Sequence, residues 1–121
     1  MARILVIDDE QPVCTLLRAA LESAGYDVVD AQDGRTGLEL YRQQPSDLII
    51  TDILMPELNG LDTILELIRE FLNVKVIAMS GVPQRRNGGL RTAKLLGARQ
   101  TFQKPLEMRV LLDAVRYELA Q

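Results

Sequence analysis

RILVIDD at residues 3–9 and DLIITD at residues 47–52 are the two stretches that decide the fold. Each is a short run of isoleucine, leucine and valine without polar alternation, and each ends in aspartate. Strands that are covered on both faces have this pattern, and they occur mainly in parallel sheets flanked by helices. The two stretches therefore predict buried parallel strands whose carboxyl ends carry acidic side chains.

Outward from these stretches, strand-like and helix-like segments alternate along the chain. The predicted strands are 3–7, 27–31, 47–51, 74–79 and 100–103. The predicted helices, which carry apolar residues at helical spacing, are 12–24, 35–44, 61–72, about 89–96, and 107–120. The alternation predicts an α/β fold, and we expect a flavodoxin-like, doubly wound, five-stranded parallel sheet in the order 2-1-3-4-5 with five helices. Because no linker or repeat interrupts the pattern, residues 1–121 are predicted to be one domain.

The composition limits the possible functions. The net charge is −3 without a basic stripe, which argues against direct nucleic-acid binding by this domain. The chain has no histidine, so it has no histidine base, histidine metal ligand or phosphohistidine of its own. One cysteine cannot form an internal disulfide. Since no apolar run approaches the ~20 residues of a membrane span and no signal peptide is evident, we expect a cytoplasmic protein without a membrane partner.

The residues that follow the predicted strands form a chemically coherent set. Asp8 and Asp9 follow the first strand, Asp52 the third, Ser80 the fourth and Lys104 the fifth. In a doubly wound sheet these strand ends meet at one edge. Three neighbouring carboxylates repel one another unless a cation neutralises them, and Mg²⁺ prefers oxygen ligands. An aspartate beside Mg²⁺ can attack a phosphoryl donor, while an ammonium stabilises the transferred oxygens.

Four motifs also carry a family resemblance. ILVIDDE (4–10), DLIITDILMPELNG (47–60), VIAMSG (76–81) and GARQTFQKP (97–105) resemble the response-regulator receiver domains of two-component signalling. The resemblance covers essentially the whole chain, in the right order and spacing. It implies a phosphorylation-activated switch that receives a phosphoryl group from a histidine kinase or histidine phosphotransfer protein. It also implies signalling to a downstream protein target or a fused output domain.

The resemblance assigns roles to individual residues. It implies that Asp52 is the phosphoacceptor, that Asp9 binds Mg²⁺ directly and that Asp8 does so through a water. The backbone carbonyl of Leu54 would be another ligand of the metal. Lys104 would pair with the phosphoryl group.

Other positions complete the switch that the resemblance implies. Ser80 takes the position of the switch hydroxyl, and Gly60 would supply a turn conformation that other residues resist. The Lys104–Pro105 peptide bond is predicted to be cis. Receivers usually carry an aromatic switch residue three positions before this lysine, but this chain has Thr101 there. The adjacent Phe102 would face the other side of the strand and belong to the core.

Three alternatives remain open from the residues. The chain could be the receiver half of a larger DNA-binding regulator, although we favour a stand-alone receiver that works by protein–protein contact. A flavin or nucleotide carrier would need a phosphate loop after the first strand, where this chain has the acidic DDEQP (8–12). An aspartate-nucleophile phosphatase would carry a second aspartate at position 54, where this chain has leucine. We therefore expect no turnover of an external substrate.

Overall fold

The computed structural model of the chain describes residues 1–53, 60–81 and 89–121. It contains five strands and five helices in strict alternation. In chain order they are β1 (Arg3–Ile7), α1 (Gln11–Ser23), β2 (Asp27–Ala31), α2 (Gly34–Gln43), β3 (Leu48–Asp52), α3 (Gly60–Glu70), β4 (Val76–Ser80), α4 (Leu90–Leu96), β5 (Gln100–Gln103) and α5 (Met108–Leu119). The predicted element types and their order are confirmed.

The strands form one parallel sheet in the order β2-β1-β3-β4-β5, as predicted. β1 pairs with both β2 and β3, so the direction of winding reverses at this central strand. β3 and β4 each end one residue later than predicted, since Asp52 pairs with Met79 and Ser80 pairs with Gln103, and they begin one and two residues later. The predicted acceptor and the predicted switch hydroxyl thus lie on the last residues of neighbouring strands.

The sheet separates two apolar clusters. Alternate residues of β1 point to opposite faces: Ile4 and Val6 pack with α1 and α5, whereas Leu5 and Ile7 pack with α2, α3 and α4. The strands β1, β3 and β4 are almost entirely buried. Coverage on both faces explains why these segments lack polar alternation.

The described helices are too short or too polar to cross a membrane.

Candidate functional site

Asp8 lies where β1 ends and is fully buried. Its backbone N–H donates to the carbonyl of Ala31 at 3.0 Å, which continues the β1–β2 ladder by one residue. Its Oδ1 accepts a hydrogen bond from the backbone N–H of Glu10 at 2.8 Å. The strand and the turn after it therefore fix the direction of this carboxylate. Asp9 is exposed on the same turn.

Asp52 completes the acidic cluster from β3. Its side chain is almost completely buried. Three carboxylate oxygens, one each from Asp8, Asp9 and Asp52, lie within 4.8 Å of one another. Such proximity of three potential anions favours a bound cation. Carboxylate oxygens at this spacing fit Mg²⁺, which binds through a few carboxylates and keeps several waters. The predicted fourth ligand, Leu54, lies outside the described residues.

Lys104 reaches the cluster from the end of β5. Its Nζ donates to Asp8 Oδ2 at 2.8 Å and to Glu10 Oε1 at 3.1 Å, and lies 3.6 Å from Asp52 Oδ2. Its backbone N–H donates to the carbonyl of Ser80 at 2.7 Å, which extends the β4–β5 ladder to the site. The Lys104–Pro105 bond is cis, as predicted. The ammonium thus forms ion pairs with the carboxylates of Asp8, Glu10 and Asp52.

The charges of the site are coupled. Burial raises the pKa of Asp8 above its ordinary value, and the hydrogen bond from Lys104 offsets only part of this rise. Burial by itself would lower the pKa of Lys104, but the hydrogen bond to Asp8 and the charge of Asp52 raise it overall. Lys104 is therefore a charged ammonium at neutral pH, held by anions whose mutual repulsion it only partly cancels.

The two predicted switch positions differ in burial. Ser80 is fully buried at the end of β4, one residue beyond the register partner of Asp52. Thr101 is half-buried in β5 opposite Ala78. Phe102 packs, half-buried, against the cluster of α1 and α5, as expected for a core residue.

Two partners of the site were missed from the sequence. Glu10 binds Lys104, and the thiol of Cys14 donates to the carbonyl of Asp8 at 3.4 Å. The acidic run DDE contained a signal for Glu10, since this carboxylate directly follows the two predicted aspartates. The contact of Cys14 had no such signal because it depends on how α1 packs against the sheet.

The Asp8→Asn variant is expected to be more stable than the wild type at neutral pH without divalent cations, by on the order of 1 kcal/mol. The folded-state pKa of Asp8 lies above the ordinary value of 3.8. The protonated carboxyl therefore stabilises the fold fully below pH 3.8, and this stabilisation is lost as the pH rises through the folded-state pKa. Asparagine cannot ionise, so the variant does not lose stability in this way. Urea unfolding in EDTA at pH 7 and about pH 4 measures it, with the larger advantage expected at pH 7. An advantage that does not vary with pH would contradict the argument.

Fold and site together define a class: α/β proteins with a carboxylate cluster and a lysine at the carboxyl edge of a doubly wound parallel sheet. The profile of the family described as the response regulator receiver domain matches residues 4–116. The chain belongs to this family of two-component signalling domains. Receivers are signalling switches rather than enzymes that turn over an external substrate, and they bind Mg²⁺ at an acidic pocket.

Similarity to individual proteins supports this family membership. The chain is 32% identical to the chemotaxis protein CheY of Thermotoga maritima, over 93% of each chain, and 32% identical to protein PilH of Pseudomonas aeruginosa, over 99% of each. It is 33% identical to the transcriptional regulatory protein PhoP of Bacillus subtilis, with 88% of this chain covered but only 44% of PhoP.

Solved structures show the same fold. A receiver domain protein from Clostridium thermocellum superposes with a TM-score of 0.90 at 30% identity, over 99% of this chain and 95% of that one. The response regulator TrrA of Thermotoga maritima, solved in complex with Mg²⁺ and BeF, superposes with a TM-score of 0.87 at 28% identity, over 98% and 99% of the two chains.

Proposed function

We propose that the chain is a phosphorylation-activated switch in which Asp52 accepts a phosphoryl group in a Mg²⁺-dependent reaction. The observation that carries the proposal is the position of the Asp52 carboxylate, which lies in one cluster with Asp8 and Asp9 and 3.6 Å from the ammonium of Lys104. A nucleophile, a cation site and a fixed positive charge are the parts that phosphoryl transfer to a carboxylate requires.

Each residue has a separate task in the proposed reaction. An oxygen of ionised Asp52 attacks phosphorus, the bond from phosphorus to the donor nitrogen breaks, and its electron pair leaves with the imidazole of the donor histidine. The product is an acyl phosphate. Lys104 stabilises the charge on the phosphoryl oxygens, and Ser80 donates a hydrogen bond to one of them. Asp8, Asp9, Asp52 and the carbonyl of Leu54 would hold Mg²⁺, which supplies further neutralisation of that charge.

The donor is proposed to be a histidine kinase or a histidine phosphotransfer protein. Since residues 1–121 contain no histidine, the phosphohistidine must lie outside them. The signal is passed on by protein–protein contact in the cytoplasm, through a rearrangement that involves Ser80 and Thr101. No nucleic acid is contacted by this domain, in keeping with its net charge of −3.

A second possibility is that these residues serve as the receiver half of a larger DNA-binding regulator. The match to PhoP of Bacillus subtilis favours it, because the chain covers 44% of that transcriptional regulatory protein. The complete reading frame of the gene decides between the two arrangements. The chemistry proposed for Asp52 is the same in both.

Phosphoryl uptake by the wild-type protein tests the proposal. Incubation with a small acyl-phosphate donor and Mg²⁺ should add the mass of one phosphoryl group, and excess EDTA should prevent it. Reduction with borohydride followed by peptide mass spectrometry should place the label on Asp52. Absence of labelling under conditions that label a known receiver, or a label on another residue, would overturn the proposal.

A further inference from the structure

Gly60, the first residue of α3, lies directly against the backbone at the end of β3. A Cβ atom built on it in standard geometry would be 2.1 Å from the carbonyl oxygen of Asp52 and 2.4 Å from Cα of Ile53. Side chains essentially never approach other atoms so closely. Since both neighbours belong to the main chain, neither can turn away as the end of a side chain can. The site therefore tolerates no side chain at position 60 in its present geometry.

Other glycines of the described residues meet a different kind of neighbour. A Cβ on Gly37 would be 2.4 Å from Cδ1 of Ile7, and one on Gly97 would be 2.6 Å from Cδ1 of Ile68. These atoms, and Cγ1 of Ile7 at 2.8 Å from the same built Cβ on Gly37, belong to isoleucine side chains, which can change rotamer, and not to the main chain. Gly37 lets α2 pack closely on β1, and Gly97, which has a φ of +126°, ends α4 beside α3, so neither position is explained by the site.

The backbone of Asp52 and Ile53 is held from two sides. The backbone N–H of Ile53 donates to the carbonyl of Met79 in β4 at 3.0 Å, and the N–H of Gly60 donates to the carbonyl of Ile53, in the following peptide, at 3.2 Å. β4 and the start of α3 thus enclose this stretch of backbone between them. A side chain on residue 60 must therefore separate α3 from this backbone or push the backbone towards β4.

We propose that Gly60 is a positioning residue for the acceptor carboxylate, an inference that rests on the proposed phosphorylation of Asp52. Its lack of a Cβ lets α3 begin directly against the 52–53 peptide. The contact holds the Asp52 carboxylate within reach of Asp8 and Asp9 and 3.6 Å from Lys104 Nζ. Gly60 touches none of the reacting atoms and acts through the backbone of Asp52. The predicted turn conformation at Gly60 is wrong: the residue is the first of α3 and is not among the glycines with positive φ, so the space for a Cβ, and not the backbone angle, is what requires glycine here.

The Gly60→Ala variant tests this role, with Gly37→Ala as the matched control. Both add one methyl group to a helical glycine of the same apolar layer, and both should lower the melting temperature. In Gly60→Ala, the maximal rate of phosphoryl uptake at saturating donor and Mg²⁺ should fall by roughly 10–100-fold, since a displacement of about 1 Å at reacting groups costs this much. Gly37→Ala should keep the wild-type maximal rate. Rates are compared well below both melting temperatures.

Two further measurements separate the possible outcomes. The backbone amide shifts of Asp52 and Ile53 and the dissociation constant for Mg²⁺, followed by NMR, should change in Gly60→Ala and not in Gly37→Ala. The amide shifts and the Mg²⁺ affinity still test the role of Gly60 if the wild type takes up no phosphoryl group. That result would refute the proposed function without deciding the role of Gly60. Unchanged rate, shifts and Mg²⁺ affinity in folded Gly60→Ala would overturn the inference, as would equal losses in Gly37→Ala.

A variant that does not fold in buffer is measured in trimethylamine N-oxide, which favours the compact state. If Gly60→Ala remains unfolded there while Gly37→Ala folds, the glycine serves stability alone and the positioning role is refuted.

Discussion

The Asp52→Asn variant is expected to take up no phosphoryl group from an acyl-phosphate donor. The amide has nearly the shape of the carboxylate, so the end of β3 keeps its packing, but its oxygen lacks the negative charge of the nucleophile. In the proposed reaction the neighbouring carboxylates do not replace it, because Asp8 is fully buried and hydrogen-bonded to Lys104 and Asp9 serves as a ligand of Mg²⁺. Intact-mass spectrometry should detect only the unmodified protein after exposure that labels the wild type completely.

Asp62→Asn provides the matched control for this loss. Asp62 is an exposed aspartate in the first turn of α3, so its substitution removes one carboxylate without altering the acidic cluster. This variant should be labelled at the wild-type rate. Undiminished labelling of Asp52→Asn, or equal loss in the control, would show that Asp52 is not the acceptor.

The Lys104→Met variant is expected to be phosphorylated about 10²–10³-fold more slowly than the wild type, the usual cost of removing one group that stabilises transition-state charge. Methionine keeps much of the length of the side chain and removes the ammonium. The Asp52 nucleophile remains, so slow labelling should persist. A time course of intact mass at saturating Mg²⁺ measures the rate.

The same substitution should lower the free energy of unfolding of the metal-free protein. It leaves Asp8 buried without its ion pair to Lys104, which has an N–O distance of 2.8 Å. We expect the free energy of unfolding to fall by about 1–3 kcal/mol. This loss is smaller than that for a fully buried ion pair because the side chain of Lys104 is 14% exposed. The pKa of Lys104 is raised above 10.5, so its contribution is complete at neutral pH and is lost as pH rises through the folded pKa. The difference between wild type and variant should therefore shrink at strongly alkaline pH.

Lys94→Met is the control for Lys104→Met. Lys94 is exposed on α4 and donates to the carbonyl of Arg99, away from the carboxylates. Its loss should leave the labelling rate unchanged. If Lys104→Met is labelled as fast as this control, the ammonium has no part in the transfer.

The sequence alone was sufficient for the fold because each apolar run carried an unambiguous pattern. β1 and β3 lack polar alternation, and Pro12 and Gly25 limit the first helix at both ends. The predicted strand ends were displaced by one residue at Asp52 and Ser80 because polar residues can still extend a ladder into the site. The acidic residues and Lys104 followed from the rule that parallel strands place their carboxyl ends together.

The remaining features of the site depend on approaches between distant segments. The contact of Gly60 with Asp52 arises from the angle at which α3 returns to the sheet, which no local pattern encodes. The same holds for Glu118, which is buried near the end of α5 where its Oε2 accepts from Gln100 at 2.8 Å. The pattern of the helix alone does not predict that this glutamate is buried, because its hydrogen-bond partner lies on β5.

Because the sheet separates the two apolar clusters, substitutions in one cluster are expected to have little effect on the other. Among the described residues, the side chains that pack with α1 and α5 form one cluster and those that pack with α2, α3 and α4 form another, since the strands lie between them. Free-energy changes from substitutions without shared contacts are approximately additive, whereas those within one cluster couple. Each layer can therefore accumulate compensating substitutions on its own during evolution. Coupling between the two layers has to pass through the strands, which supply side chains to both clusters.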